Sequence, residues 1–213
     1  MNFPCLSIEI INSSLSETLS VLQGVSRYVE SIFIKKKLIE KEGIKVIDFL
    51  IERYPNKKII LNITDWKKKD EFILSIIKKT KIKNFLISGG NDNDFKELCL
   101  FLEKKKKKLF FFGNNFDLSL LQELKIKDIF YYKPENKKKL NYWNNNDLKN
   151  IENLIKKEFY VTVGNILEKD IENLSKQKIS QFVVSEEICY SFNPIETCKL
   201  IYSKIKKYYP KNK

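Results

Sequence analysis

Short apolar runs rich in β-branched residues alternate with amphipathic stretches along the chain. Residues 5–11 (CLSIEII) form the first run. Ser14-Leu-Ser-Glu17 follows, a capping box in which Ser14 and Glu17 can satisfy each other's backbone N–H, and it predicts a helix to about Ser26. Residues 29–34 make the second run. Ile44, Val46, Ile47, Leu50 and Ile51 then recur at helical spacing until Arg53-Tyr54-Pro55 ends the helix. Further strands are predicted at residues 58–63 (KIILNI), 84–88 (NFLIS), 109–112 (LFFF), 129–132, 159–163 (FYVTV) and 181–184 (QFVV). Helices are predicted at 72–79, from an Asp94 cap to Glu103, at 118–124, 147–157 and 169–175, and from Pro194 to Tyr208.

Eight strand–helix units therefore fill 213 residues without a long linker. Near-continuous apolar strands separated by helices imply parallel strands covered by helices. Eight units favour closure, so the expected fold is α/β, a single (β/α)8 TIM barrel spanning residues 1–213. An open doubly wound sheet of the same elements is the alternative, because periodicity does not report closure.

Composition narrows the function. Hydrophobic residues make up 43% of the chain and aromatics 13%, a globular balance. No apolar stretch approaches the roughly 18 residues of a membrane span. The opening Met-Asn-Phe-Pro-Cys lacks a basic segment followed by an apolar one, so the expected location is cytoplasmic. Cys5, Cys99, Cys189 and Cys198 form no C-x-x-C pair and the chain has no histidine, which argues against a zinc site.

The formal charge of +13 raises nucleic-acid binding. Arg27 and Arg53 are the only arginines, so the bidentate fork of base and phosphate recognition is scarce. The lysines are spread over many segments, amid a general richness in Lys, Asn, Ile, Phe and Tyr. The reading is a solvated lysine surface, with non-specific phosphate attraction as the alternative.

Phe3-Pro4-Cys5-Leu6, Glu42-Gly43-Ile44, Tyr54-Pro55-Asn56-Lys57 and Phe159-Tyr-Val-Thr-Val163 carry a likeness in order and spacing. So do Trp143 with Asn146-Asp147-Leu148, and Phe182-Val-Val184 with Asn193-Pro194-Ile195-Glu196. Over nearly its whole length the chain resembles 3-keto-L-gulonate-6-phosphate decarboxylase and 3-hexulose-6-phosphate synthase, sister enzymes of the orotidine-monophosphate decarboxylase superfamily. The resemblance implies a dimer whose active sites combine residues of both subunits. It also implies enediolate chemistry, which needs a divalent ion, a cation for the developing charge, and carboxylates to move protons.

The residues that this chemistry needs are replaced here. The family hallmark D-x-K-x-x-D ends its third strand, and the matching stretch reads Ile63-Thr64-Asp65-Trp66-Lys67-Lys68. Ile63 replaces the first Asp, Asp65 the Lys, and Lys68 the second Asp. The first-strand aspartate falls on Ile11, the second-strand metal-binding glutamate on Phe33, and the sixth-strand histidine on Tyr132. Phe111, Phe112 and Gly113 stand where the fifth strand offers an acid. Of the phosphate cradle, Gly164, Asn165 and Ser185 are weak remnants, and Glu186 and Glu187 oppose an anion.

The resemblance without its chemistry predicts a non-catalytic barrel that serves as a structural or protein-interaction subunit. It would be a homodimer or pair with another protein, and it would need no cofactor. The alternative is a residual or altered sugar-phosphate lyase, rebuilt on Asp65, Lys67 or Lys68 and Asn165, and only then dependent on Mg²⁺. Asp65 and Lys68 are the charged pair left at the ancestral site, either a solvated i, i+3 pair or a contact between subunits. Tyr142 and Trp143, in the polar loop 133–146, are read as a drifted lid or as anchors of a docking surface.

Overall fold

The computed structural model describes residues 4–64, 71–88, 93–113, 118–132, 143 and 145–209. Eight strands run in sequence order: β1 (Cys5–Ile10), β2 (Ser31–Lys35), β3 (Lys58–Asn62), β4 (Asn84–Ile87), β5 (Lys108–Phe112), β6 (Asp128–Tyr132), β7 (Tyr160–Gly164) and β8 (Gln181–Val184). Helices α1 (Leu15–Val25), α2 (Lys36–Glu42), α3 (Lys45–Arg53), α4 (Glu71–Lys79) and α5 (Asn93–Lys104) belong to the first half. The second half holds α6 (Leu118–Glu123), α7 (Asn145–Lys156), α8 (Asp170–Leu174), α9 (Glu186–Cys189) and α10 (Pro194–Tyr208). Each strand pairs in parallel with the next, and β8 returns to β1, so the sheet closes. The expected (β/α)8 barrel is the observed fold, and the open sheet is excluded.

Alternation along the strands produces two cores. In β1, Leu6, Ile8 and Ile10 face outward and are buried with Val21, Leu22 and Val25 of α1. Ser7 and Glu9, at the intervening positions, face the interior. The interior is filled by Phe33, Ile60, Leu86, Phe110, Phe130 and Val183, with Phe112 and Tyr132 packed against them. Such a barrel is a packed core rather than a pore. One register row, Lys35–Asn62–Leu86–Phe110–Asp128–Tyr160, starts at the C-terminal end of β2 and finishes at the N-terminal end of β7. This is the stagger that closure demands.

Local signals set the helix ends. Ser14 Oγ accepts from the Glu17 N–H, as the capping box predicts. Asn193 caps α10 through the Glu196 N–H, and Pro194 takes the first turn, where its missing donor costs nothing. Three helices end in Schellman turns whose left-handed residue is not glycine: Lys106 (φ 55°), Lys125 (φ 54°) and Glu158 (φ 64°). The hydrophobic pattern does not reveal α2 and α9. Both lie on the connections after strands, too short to show a helical stripe.

Candidate functional site at the barrel mouth

Barrel enzymes work at the end where the strands finish. At that end β1 presents Glu9, a carboxylate only 3% exposed. Its Oε1 accepts from Asn62 Nδ2 at 2.8 Å, and its Oε2 lies 3.5 Å from Lys35 Nζ. Asn62 Oδ1 in turn accepts from the Thr64 N–H at 3.1 Å and Thr64 Oγ1 at 2.9 Å. Ser88 Oγ donates to the Thr64 carbonyl, and Cys189 Sγ to the Glu9 carbonyl at 3.6 Å. Four strand ends are thus tied by one polar network. Both oxygens of its carboxylate are engaged, as a buried charge requires.

Beside this network the mouth is aromatic. Phe33 and Phe130 meet edge to face at 5.4 Å between centroids, and Phe112 lies 5.9 Å from Phe130 and 5.5 Å from Tyr132. Phe130 and Tyr132 are stacked at 6.2 Å. Each such pair adds about 0.5–1.5 kcal/mol beyond area burial. Phe33, where the resemblance puts a metal-binding glutamate, is fully buried in this cluster.

Gly164, the expected phosphate glycine, has the same neighbours. A Cβ there would overlap the Phe130 ring and come within 3.1 Å of Tyr132 Cδ2. The space that glycine frees is occupied by aromatic carbon. Asn165 takes a left-handed backbone (φ 53°). Ser185 is 4% exposed, and its carbonyl accepts from Ile188 and Cys189 in the single turn of α9. Glu187 accepts the Glu168 N–H at 2.8 Å, and burial pushes its carboxyl above the usual range. Anionic side chains therefore share this rim.

Two expectations need correction. Ile63 is not the inward residue at the end of β3. It is buried in the outer core, 1% exposed, while Asn62 beside it faces the mouth. In a strand a shift of one residue reverses the face. Trp143 does not stand out as a docking anchor. It is 6% exposed and packs at 6.1 Å from Tyr131 within the outer core. Asp65, Lys67, Lys68 and Tyr142 lie outside the described residues.

Sequence reading missed Glu9, Lys35 and Asn62. The available signal was a lone acid at alternating register inside the apolar run CLSIEII, followed by a lysine closing the next strand. Mg²⁺ demands several oxygens in near-octahedral array. Glu9 is already neutralised, and among the described residues no three Asp, Glu, His or Cys side chains converge. The described mouth does not fit the ion.

No protein-family model matches the sequence, and no curated protein matches it. Solved structures match in fold. KGPDC from Streptococcus mutans, solved as a ligand complex, has a TM-score of 0.84 at 14% identity over 98% of this chain and 100% of that one. The 3-keto-L-gulonate-6-phosphate decarboxylase of Vibrio cholerae O1 biovar El Tor has 0.81 at 16% identity, with 98% and 100% covered. The 3-hexulose-6-phosphate synthase of Salmonella typhimurium has 0.80 at 15% identity, with 96% and 99% covered. Over nearly its whole length, the chain has the closed barrel fold of 3-keto-L-gulonate-6-phosphate decarboxylase and 3-hexulose-6-phosphate synthase.

Proposed function

We propose that this chain is a non-catalytic member of the sugar-phosphate-lyase barrels that acts as a structural or protein-interaction subunit. The observation that carries the reading is Phe33, buried against Phe130 inside the barrel at the β2 position where the resemblance calls for a metal-binding carboxylate. The one fully buried acid of the mouth network, Glu9, supports it from the other side, since Lys35 and Asn62 consume its charge and its lone pairs. A phosphorylated sugar entering here would meet aromatic carbon, a neutralised lysine and the rim carboxylates. The protein works without a cofactor, in the cytoplasm. It assembles as a homodimer or with another protein, Asp65 of one protomer facing Lys68 of its partner. Among the described residues no helix is long and apolar enough to cross a membrane.

Melting curves with MgCl₂ and a pentose 5-phosphate test the reading, because a ligand that binds only the folded state raises its melting point. The expected result is no rise with either, alone or together. A rise that needs both restores the altered-lyase reading, which the ligand complex of the streptococcal neighbour favours. For the assembly, Asp65→Lys should reduce the mass in solution. An unchanged mass removes that contact.

A further inference from the structure

The barrel topology gathers what the sequence disperses. Every connection from a helix to the next strand lies at the N-terminal end of the strands. The seven such segments, residues 26–30, 54–57, 80–83, 105–107, 124–127, 157–159 and 175–180, hold twelve cations and two carboxylates, Glu30 and Glu158. Four of them, 80–83 (TKIK), 105–107 (KKK), 124–127 (LKIK) and 175–180 (SKQKIS), hold nine lysines and no carboxylate. Among the described residues, the segments from strand to helix, 11–14, 63–64, 88, 113, 143 and 165–169, hold one cation, Lys169, and one carboxylate, Glu168. Among the described connections, those at the N-terminal end therefore carry a net +10 and those at the opposite end none. General enrichment in lysine does not produce this asymmetry.

Most of these lysines are held outward, whereas Lys107 is half-buried and its Nζ donates to the Ile82 carbonyl. Ile82 and Ile126 are buried at 0% and 4% exposure, so Lys81 and Lys83, and likewise Lys125 and Lys127, flank a buried anchor and stand exposed on either side. Alternate residues of an extended chain are roughly 7 Å apart, a span comparable with successive backbone phosphates. Of the nine, only Lys81 is ion-paired among the described residues, with Glu52 at 2.7 Å. Lys106 and Lys125 occupy left-handed backbone where glycine is cheapest. The repulsion is felt within the face: burial, then Lys83 and Lys105, lower the affinity of Lys107 for its proton.

Within this face β7 begins with Tyr160, 57% exposed and paired in register with Asp128, which Lys108 neutralises at 2.9 Å. A solvent-facing ring among cations is a stacking platform for a base. The exposed aliphatics Leu100 and Leu200 lie within α5 and α10 instead, so the face lacks the apolar residues that would enter a lipid surface.

We infer that the N-terminal face of the barrel binds single-stranded nucleic acid through its phosphate backbone, without reading sequence. Lysine supplies point charges rather than bidentate forks, which suits backbone contact. The surface is independent of the mouth and of whether the mouth is catalytic.

The test is fluorescence anisotropy of labelled oligothymidylate with the whole protein across 50–200 mM salt. Lys83→Gln, Lys105→Gln, Lys127→Gln and Lys178→Gln combined should weaken binding at least about tenfold and reduce the salt slope by about 3. A second quadruple variant, Lys37→Gln, Lys41→Gln, Lys149→Gln and Lys199→Gln, removes the same charge from the helices and should change affinity far less. Tyr160→Ala should weaken binding roughly tenfold with the salt slope unchanged. Equal losses in both quadruple variants would show net charge alone and overturn the inference. Stronger binding to phosphatidylserine vesicles or polyglutamate than to the oligonucleotide would also overturn it, and full affinity in Tyr160→Ala would sink the assignment to a single strand.

Discussion

Where the strands finish, a buried glutamate is met by one lysine and one asparagine, and four aromatic rings close over the centre of the barrel. Where the strands begin, two lysines, Lys58 and Lys108, approach the Phe110 ring at 5.8 and 5.0 Å, and further lysines ring them with few acids in reach. The same eight strands build both ends. Inside the mouth the buried charge of Glu9 is cancelled and space is filled, whereas at the other end charge accumulates on solvent. Close packing dominates the first region, whereas like charges gather in the second.

The largest effect should come from Phe130→Ala, which removes the ring that touches Phe33, Phe112 and Tyr132 and fills the space beside Gly164. A loss of about 3–5 kcal/mol in urea unfolding is expected. A loss below about 1 kcal/mol would mean that the mouth is not a packed plug. Lys35→Met comes next. It leaves the Glu9 carboxylate, 3% exposed, with Asn62 alone and should cost about 1–3 kcal/mol, nearer the lower figure because Lys35 is 42% exposed. Adding Glu9→Gln should recover much of that, and if it does not, the two residues are not coupled.

At the opposite end the sign should reverse. Lys106→Gly and Lys125→Gly relieve left-handed backbone and should each stabilise by about 1 kcal/mol, checked by the urea midpoint at constant slope. Destabilisation by either would show that the lysine side chains hold the turn. The smallest effect concerns Glu187, whose carboxyl is raised, first by burial and then by Glu168 and Asp170. A raised acid favours the folded state at pH below its ordinary 4.5 and loses that contribution as pH rises through its folded value. Glu187→Gln should therefore raise the melting temperature at neutral pH, by no more than about 0.5 kcal/mol in stability, and the gain should vanish on acidification. A gain that persists at low pH would rule out the charge as its cause.

Much of the fold was legible because it rests on local physics. The apolar runs located all eight strands to within a residue or two, Ser14 and Pro194 marked helix starts, and the number of units indicated closure. The site was less legible. Aligning by resemblance placed Ile63 at the mouth, yet only the hydrogen bond from Asn62 to Glu9 reveals which of two neighbours faces inward. Trp143 looked like a surface aromatic because its flanks are polar, and its contact with Tyr131 lies across a gap in sequence that periodicity does not span. Glu9 lies inside an apolar run with no partner near it in sequence, and only the fold brings Lys35 and Asn62 beside it.

The sequence by itself determined the alternation of strand and helix, the caps that start α1 and α10 and the excess of lysine, since each is written locally along the chain. The tertiary structure decided which charges meet. Parallel pairing sets β1 beside β2, so an acid and a lysine from different strands neutralise each other at the mouth. The repeating handed crossover returns every helix to the same end of the barrel, and cations scattered over seven connections become one face. Coulomb interactions depend on distance in space, which the chain order does not contain.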